Sequence, residues 1–115
     1  MKTLLIDTLE RTGYPVYLQG SIGEEEAYPE TFITFFTLAG DDASHYDNEP
    51  SGTAWEYQVI VYSSDPLKVD SVSKEVRALL KAAGFIPRGR GRDIPSDEPT
   101  HTGWAMEFYY LDMEE

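Results

Sequence analysis

Five side chains able to ligate a metal crowd into one stretch: Asp41, Asp42, His45, Asp47 and Glu49, within AGDDASHYDNEPSGT at 39–53. Hard cations take carboxylate oxygens from clusters of this kind. The spacing departs from that of a calcium loop, which needs acids at alternating positions, a central glycine and a closing glutamate. Asp-Asp followed by His fits a hydrolytic metal site only if a second histidine lies close by, and the other histidine of the chain is His101. A solvated loop that uses Asp and Asn for its turns accounts for the same residues. A metal-binding or metal-dependent hydrolase domain built on 41–49 is the alternative reading, and a polar loop is the plainer one.

His101 follows Ser96, Asp97 and Glu98 and precedes the last apolar run. A nucleophilic triad there would need the fold to gather serine, histidine and acid, and no Gly-x-Ser-x-Gly elbow supports one. Arg88-Gly-Arg90-Gly-Arg92 could cradle an anion, but it lacks the Gly-Lys-Ser/Thr of a phosphate loop. If extended, its three arginines share one face. They then either pair with acids across a hairpin, at little gain when exposed, or form a basic stripe that meets an acidic patch on a neighbouring subunit. Arg88, Arg90, Arg92, Asp41, Asp42 and Asp47 are therefore the candidate interface residues. No residue is assigned to catalysis, and no cofactor is expected.

The elements that must position these groups are legible around residues 53–84. Trp55 to Tyr62 is dense in aromatic and β-branched residues, which suit a pleated strand. Trp55, Tyr57, Val59 and Val61 point to one side, and Glu56, Gln58, Ile60 and Tyr62 to the other. Asp65 suits a helix N-cap and Pro66 the first helical position. From Val69 the apolar positions Val72, Val76, Leu79, Leu80 and Ala83 then follow helical spacing, and Gly84 suits a left-handed stop. Upstream, residues 2–12 form an amphipathic helix with Leu4, Leu5, Thr8 and Leu9 inward. Its acids and Arg11 argue against a targeting segment. Residues 14–18 are a short extended segment at an edge or strand entry, 20–30 a loop, and Thr31 to Leu38 a strand apolar on both faces, hence interior to the sheet or against a partner. Residues 39–53 read as a long polar loop, and Thr102 to Asp112 as the final strand. The order is α-β-β-β-α-β-β: an α+β domain with an antiparallel or mixed sheet of four to five strands and two helices packed on one face.

A chain of 115 residues makes one domain, 1–115, with a single core. It contains no cysteine, so disulfides and thiolate metal sites are excluded. The 21 acids against 9 bases give a formal charge of −12, which argues against nucleic acid as a partner. No apolar run approaches the ~20 residues of a membrane span. Eight tyrosines, five phenylalanines and two tryptophans cover both faces of three strands. Two short helices shield one face only, so some rings are expected to stay exposed or to meet another protein.

PVY after the first helix, then YPETFITF, a polar loop, WEYQVIVYSSDPLKVDSVSKEVRALLKAAGF and the closing WAMEFYYL together resemble the small tail-completion proteins, tail terminators and neck proteins, of long-tailed bacteriophages and prophages. The resemblance is one of layout across nearly the whole chain. It implies an α+β domain that assembles as a ring, usually a hexamer, capping the tail tube and joining the head connector. It further implies a structural protein that is not an enzyme, whose partners are itself, the tail tube protein and the connector, found in the virion and, during assembly, in the host cytoplasm.

Overall fold

The computed structural model describes residues 2–18, 29–46, 49–95 and 100–113, and the side chains of these except 2, 41–46, 49–51 and 113. Among the described residues are two helices and six strands. They are α1 (Lys2–Glu10), β1 (Val16–Leu18), β2 (Thr31–Tyr46), β3 (Glu49–Ser63), α2 (Pro66–Ala82), β4 (Ile86–Pro87), β5 (Arg92–Pro95) and β6 (Thr102–Met113).

Local chemistry sets the ends of α2. Asp65 sits in an extended conformation and its carboxylate accepts the Leu67 N–H at 3.0 Å. Pro66 opens the helix, where a missing N–H leaves nothing unsatisfied. At the far end Gly84 adopts φ 101°. The Phe85 N–H reaches the Leu80 carbonyl at 2.9 Å, and that of Gly84 reaches Lys81 at 3.1 Å. This is the six-to-one and five-to-two pairing of a Schellman stop, and it turns Phe85 back into the core.

The six strands form one sheet in the order β1-β2-β3-β6-β4, with β5 also on β6. All pairs are antiparallel except β1 with β2. Leu5 and Leu9 of α1 and Val72, Val76 and Leu80 of α2 pack on Ile33, Phe35, Tyr57, Val59, Val61, Met106 and Phe108. Both helices therefore cover the same sheet face, the one to which strand alternation assigns Tyr57, Val59 and Val61.

Three expectations need correction. The sheet has six strands rather than four to five, because residues 86–95 contribute two. Ile86 and Pro87 pair with Tyr109 and Phe108, and Arg92 to Pro95 pair with Ala105 to Thr102. Between them the chain leaves the edge of β6 at Arg88–Gly91, where Gly89 and Gly91 take φ 72° and 105°, conformations glycine adopts without steric cost.

Secondly, the described residues of 39–53 are strand and not loop. β2 continues to Tyr46 and β3 begins at Glu49, with register shifts at Thr37/Ala39, Asp42/Ser44 and Ser44/His45. Asp, Gly and Ser disfavour strands locally, but β3 is also held by β6 as far as Gly52 opposite Met113. That lays down a ladder onto which a polar segment can pair, and bulges absorb the misfit. A 16-residue strand at roughly 3.3 Å per residue accounts for the 53 Å long axis of a molecule only 28 × 22 Å across.

Thirdly, the rings on the face away from the helices are not left bare. Phe32, Ile60, Tyr62 and Ala105 form a second buried cluster, with Tyr17 and Ile94 against it. Phe32 stacks on Tyr62 at 5.1 Å and meets Tyr17 edge-on at 6.2 Å and His101 at 5.9 Å. No aromatic side chain among the described residues is fully exposed. Phe32 and Tyr62 are taken up by this second small core, while Phe36 and Tyr109 on the same face stay half-buried outside it. What stays exposed is aliphatic: Leu18, Leu38, Leu67, Ile86 and Leu111.

Candidate functional site

The arginine run is split by its glycines. Arg88 lies on the face away from the helices, where its guanidinium meets the Glu56 carboxylate at 3.1 Å and sits 5.8 Å over the Tyr109 ring. An exposed pair of this kind contributes about 0–1 kcal/mol. Arg92, opposite Ala105 in the ladder, shares that face. Arg90 lies on the other side, lining a cleft against α2. Of the two arrangements open in the sequence, the single basic stripe does not form, because the left-handed turns at Gly89 and Gly91 break the strand alternation that would have aligned it; Arg88 instead pairs with an acid.

The cleft has a volume of about 300 Å³ and lies between α2 and the β5–β6 edge. Val69, Met106 and Trp104 give it apolar walls, and Ser73, Lys74, Arg77, Arg90, Asp70 and Asp93 bring polar groups. Trp104 donates from Nε1 to the Arg90 carbonyl at 2.9 Å, which fixes the excursion of 88–91 at the cleft mouth. Ser73 is only 6 % exposed, and neither its hydroxyl nor Nε of Arg77 has a hydrogen-bond partner among the described residues. Lys74 pairs with Asp70 at 3.2 Å on the solvent side. Sequence reading missed this constellation. Its one signal was Ser73, a hydroxyl set within the apolar stripe Val69, Val72, Val76, Leu80.

His101 is a clasp. Its Nε2 lies 2.8 Å from the Pro29 carbonyl and its Nδ1 2.9 Å from the Thr100 hydroxyl. A carbonyl only accepts, so Nε2 carries the proton. Ser96, Asp97 and Glu98, the other members considered for a triad, lie outside the described residues.

Asp41 and Asp42 stand in β2 opposite Ala54 and Thr53. Their side chains, those of His45 and Glu49, and all of Asp47 lie outside the described residues. Among the described residues no group of three or more His, Asp or Glu is arranged to hold a metal ion, and no helix is long and apolar enough to cross a membrane. Neither a protein-family model nor a curated protein matches the sequence.

Proposed function

We propose that this chain is a structural phage or prophage assembly protein, a tail terminator or head–tail joining component that works as a ring of identical copies on the tail tube. The observation that carries this reading is the paired arm. β2 and β3 run on beyond Trp55, the last β3 side chain packed on the core, through the pairs Asp41–Ala54 to Tyr46–Glu49. Ordering such backbone costs conformational entropy of about 1–2 kcal/mol per residue. An arm of polar sequence gains its return where it meets another surface.

The sheet beside the base of the arm supports the same reading. Ile86 and Leu111, 58 % and 52 % exposed, flank half-buried Tyr109 on the face away from the helices. Strand β1 covers only Ile33–Phe35 of β2, so among the described residues the edge of β2 from Phe36 to Tyr46 has no strand beside it and is free to meet another chain.

The test is to mix the purified chain with tail tubes from its source and image the tube ends by negative stain. Density at one end, lost when residues 42–52 are replaced by a two-residue Asn-Gly turn, is the expected result. Bare tube ends, together with a gene neighbourhood free of capsid, portal and tail genes, would overturn the reading.

A further inference from the structure

We propose that the cleft between α2 and the β5–β6 edge is a receptor for one carboxylate, delivered by an acidic residue of a second copy of this chain. The inference rests on the self-assembly reading above and adds the site through which copies would meet.

The cleft is built, and what it lacks is an acceptor. Ser73 and Arg77 are one helical turn apart on α2, and each brings a buried donor without a partner among the described residues. A buried polar atom left unpaired costs about 1–3 kcal/mol, and native proteins rarely leave two in one place. Arginine only donates and serine can donate, so the complementary group is an oxygen acceptor. A carboxylate offers two, in the planar geometry that a guanidinium fork matches. Asp93 lines the same cleft yet forms no ion pair with Arg77 or Arg90 among the described residues.

Charge points the same way. Lys74, Arg77 and Arg90 are three of the nine basic residues of the chain, gathered in one small space. Asp70 is engaged with Lys74, which leaves two arginines facing Asp93. A volume of about 300 Å³ admits one side chain and not a folded element, and Val69, Met106 and Trp104 would receive its methylenes. A second copy carries 21 acids against 9 bases. Two such molecules repel unless an acid of one enters a basic recess of the other.

Sedimentation velocity of the full chain over a concentration series, in 50 and 500 mM NaCl, tests this. Wild type is expected to self-associate at low salt and to loosen at high salt. Arg77→Gln with Arg90→Gln should weaken association at least tenfold. Ser73→Ala should weaken it a few-fold while leaving the fold intact by circular dichroism. Arg88→Gln with Arg92→Gln, on the opposite face, should leave it unchanged. Association of the Arg77/Arg90 variant equal to wild type overturns the proposal, as does a wild type that stays monomeric at both salts. Sodium glutamate that shifts the Arg77 Nε–H resonance of a monomeric wild type would show a receptor for free carboxylates and refute the second copy as the source. None of these failures touches the tail-protein reading, which tube-end binding and gene neighbourhood decide.

Discussion

Tyr57→Phe should make this protein more stable. Tyr57 is fully buried at the centre of β3, its ring stacked on Trp55 at 6.2 Å and edge-on to Phe85 at 6.3 Å. Its hydroxyl finds no partner among the described residues. Removing that oxygen keeps the ring contacts and relieves a desolvation cost of about 1–3 kcal/mol; part of the gain is lost to the void left behind, so a net of about 1 kcal/mol is expected. Unfolding entropy near 2.1 cal/mol/K per residue over 115 residues gives about 0.24 kcal/mol/K, so Tm rises by about 4 °C. A second signature comes from pH. Burial first, and the negative charge of Asp112 second, push the Tyr57 pKa above its ordinary 10.0. An acid whose folded pKa is raised contributes stability that is complete below the unfolded pKa and is lost as pH rises through the folded one. Wild type should therefore lose stability above about pH 10 more steeply than Tyr57→Phe, so the gap between them widens. Scanning calorimetry and urea melts from pH 7 to 11 measure both effects. A Tm lowered by more than about 2 °C, or alkaline curves that run parallel, would refute the reasoning.

Four further outcomes are expected. Gly91→Ala should cost roughly 2–3 kcal/mol in urea unfolding, since φ is 105° and the new methyl would lie on Trp104 Nε1 and the Ala105 carbonyl; the Trp104 emission should shift as its bond to Arg90 breaks. Gly103→Ala places a methyl 2.8 Å from the Tyr62 ring and 2.9 Å from Ile94, and should cost about 1–3 kcal/mol with a changed near-ultraviolet spectrum. Asp65→Ala removes the cap on α2 and should cost about 1 kcal/mol, read from the urea midpoint. Magnesium, manganese, calcium and zinc should leave Tm unmoved; a rise of several degrees with one of them would support the metal reading of 41–49.

The parts of the fold that were legible are those set by neighbours in sequence. Asp65-Pro66 and Gly84 bound α2 through capping chemistry that needs no tertiary partner. The alternation of Tyr57, Val59 and Val61 with Gln58, Ile60 and Tyr62 assigned both faces of β3. Illegible features depend on partners far along the chain. The polar run at 39–53 becomes strand because β3 is already anchored by β6. The three arginines look equivalent in sequence, and only the left-handed turns at Gly89 and Gly91 send Arg90 to the helices and Arg88 toward Glu56. Burial of Phe32 and Tyr62 depends on Tyr17, Ile94 and His101 arriving from three separate segments. The cleft has the same origin: Ser73 breaks an apolar stripe in plain view, but Arg90 and Trp104 reach it only after the sheet has closed.

The place of β6 in the sheet order has a consequence for biogenesis. Among the described residues, the strand latest in chain order, β6, is an inner one, flanked by β3 on one side and by β4 and β5 on the other. Until it emerges, the long apolar middle of β3 presents an open flank along its whole length, and β4 and β5 have no strand to join. A nascent chain stopped short of residue 102 would hold its helices yet offer that flank to any other incomplete chain nearby. Synthesis of β6 is thus the step that closes the flank of β3.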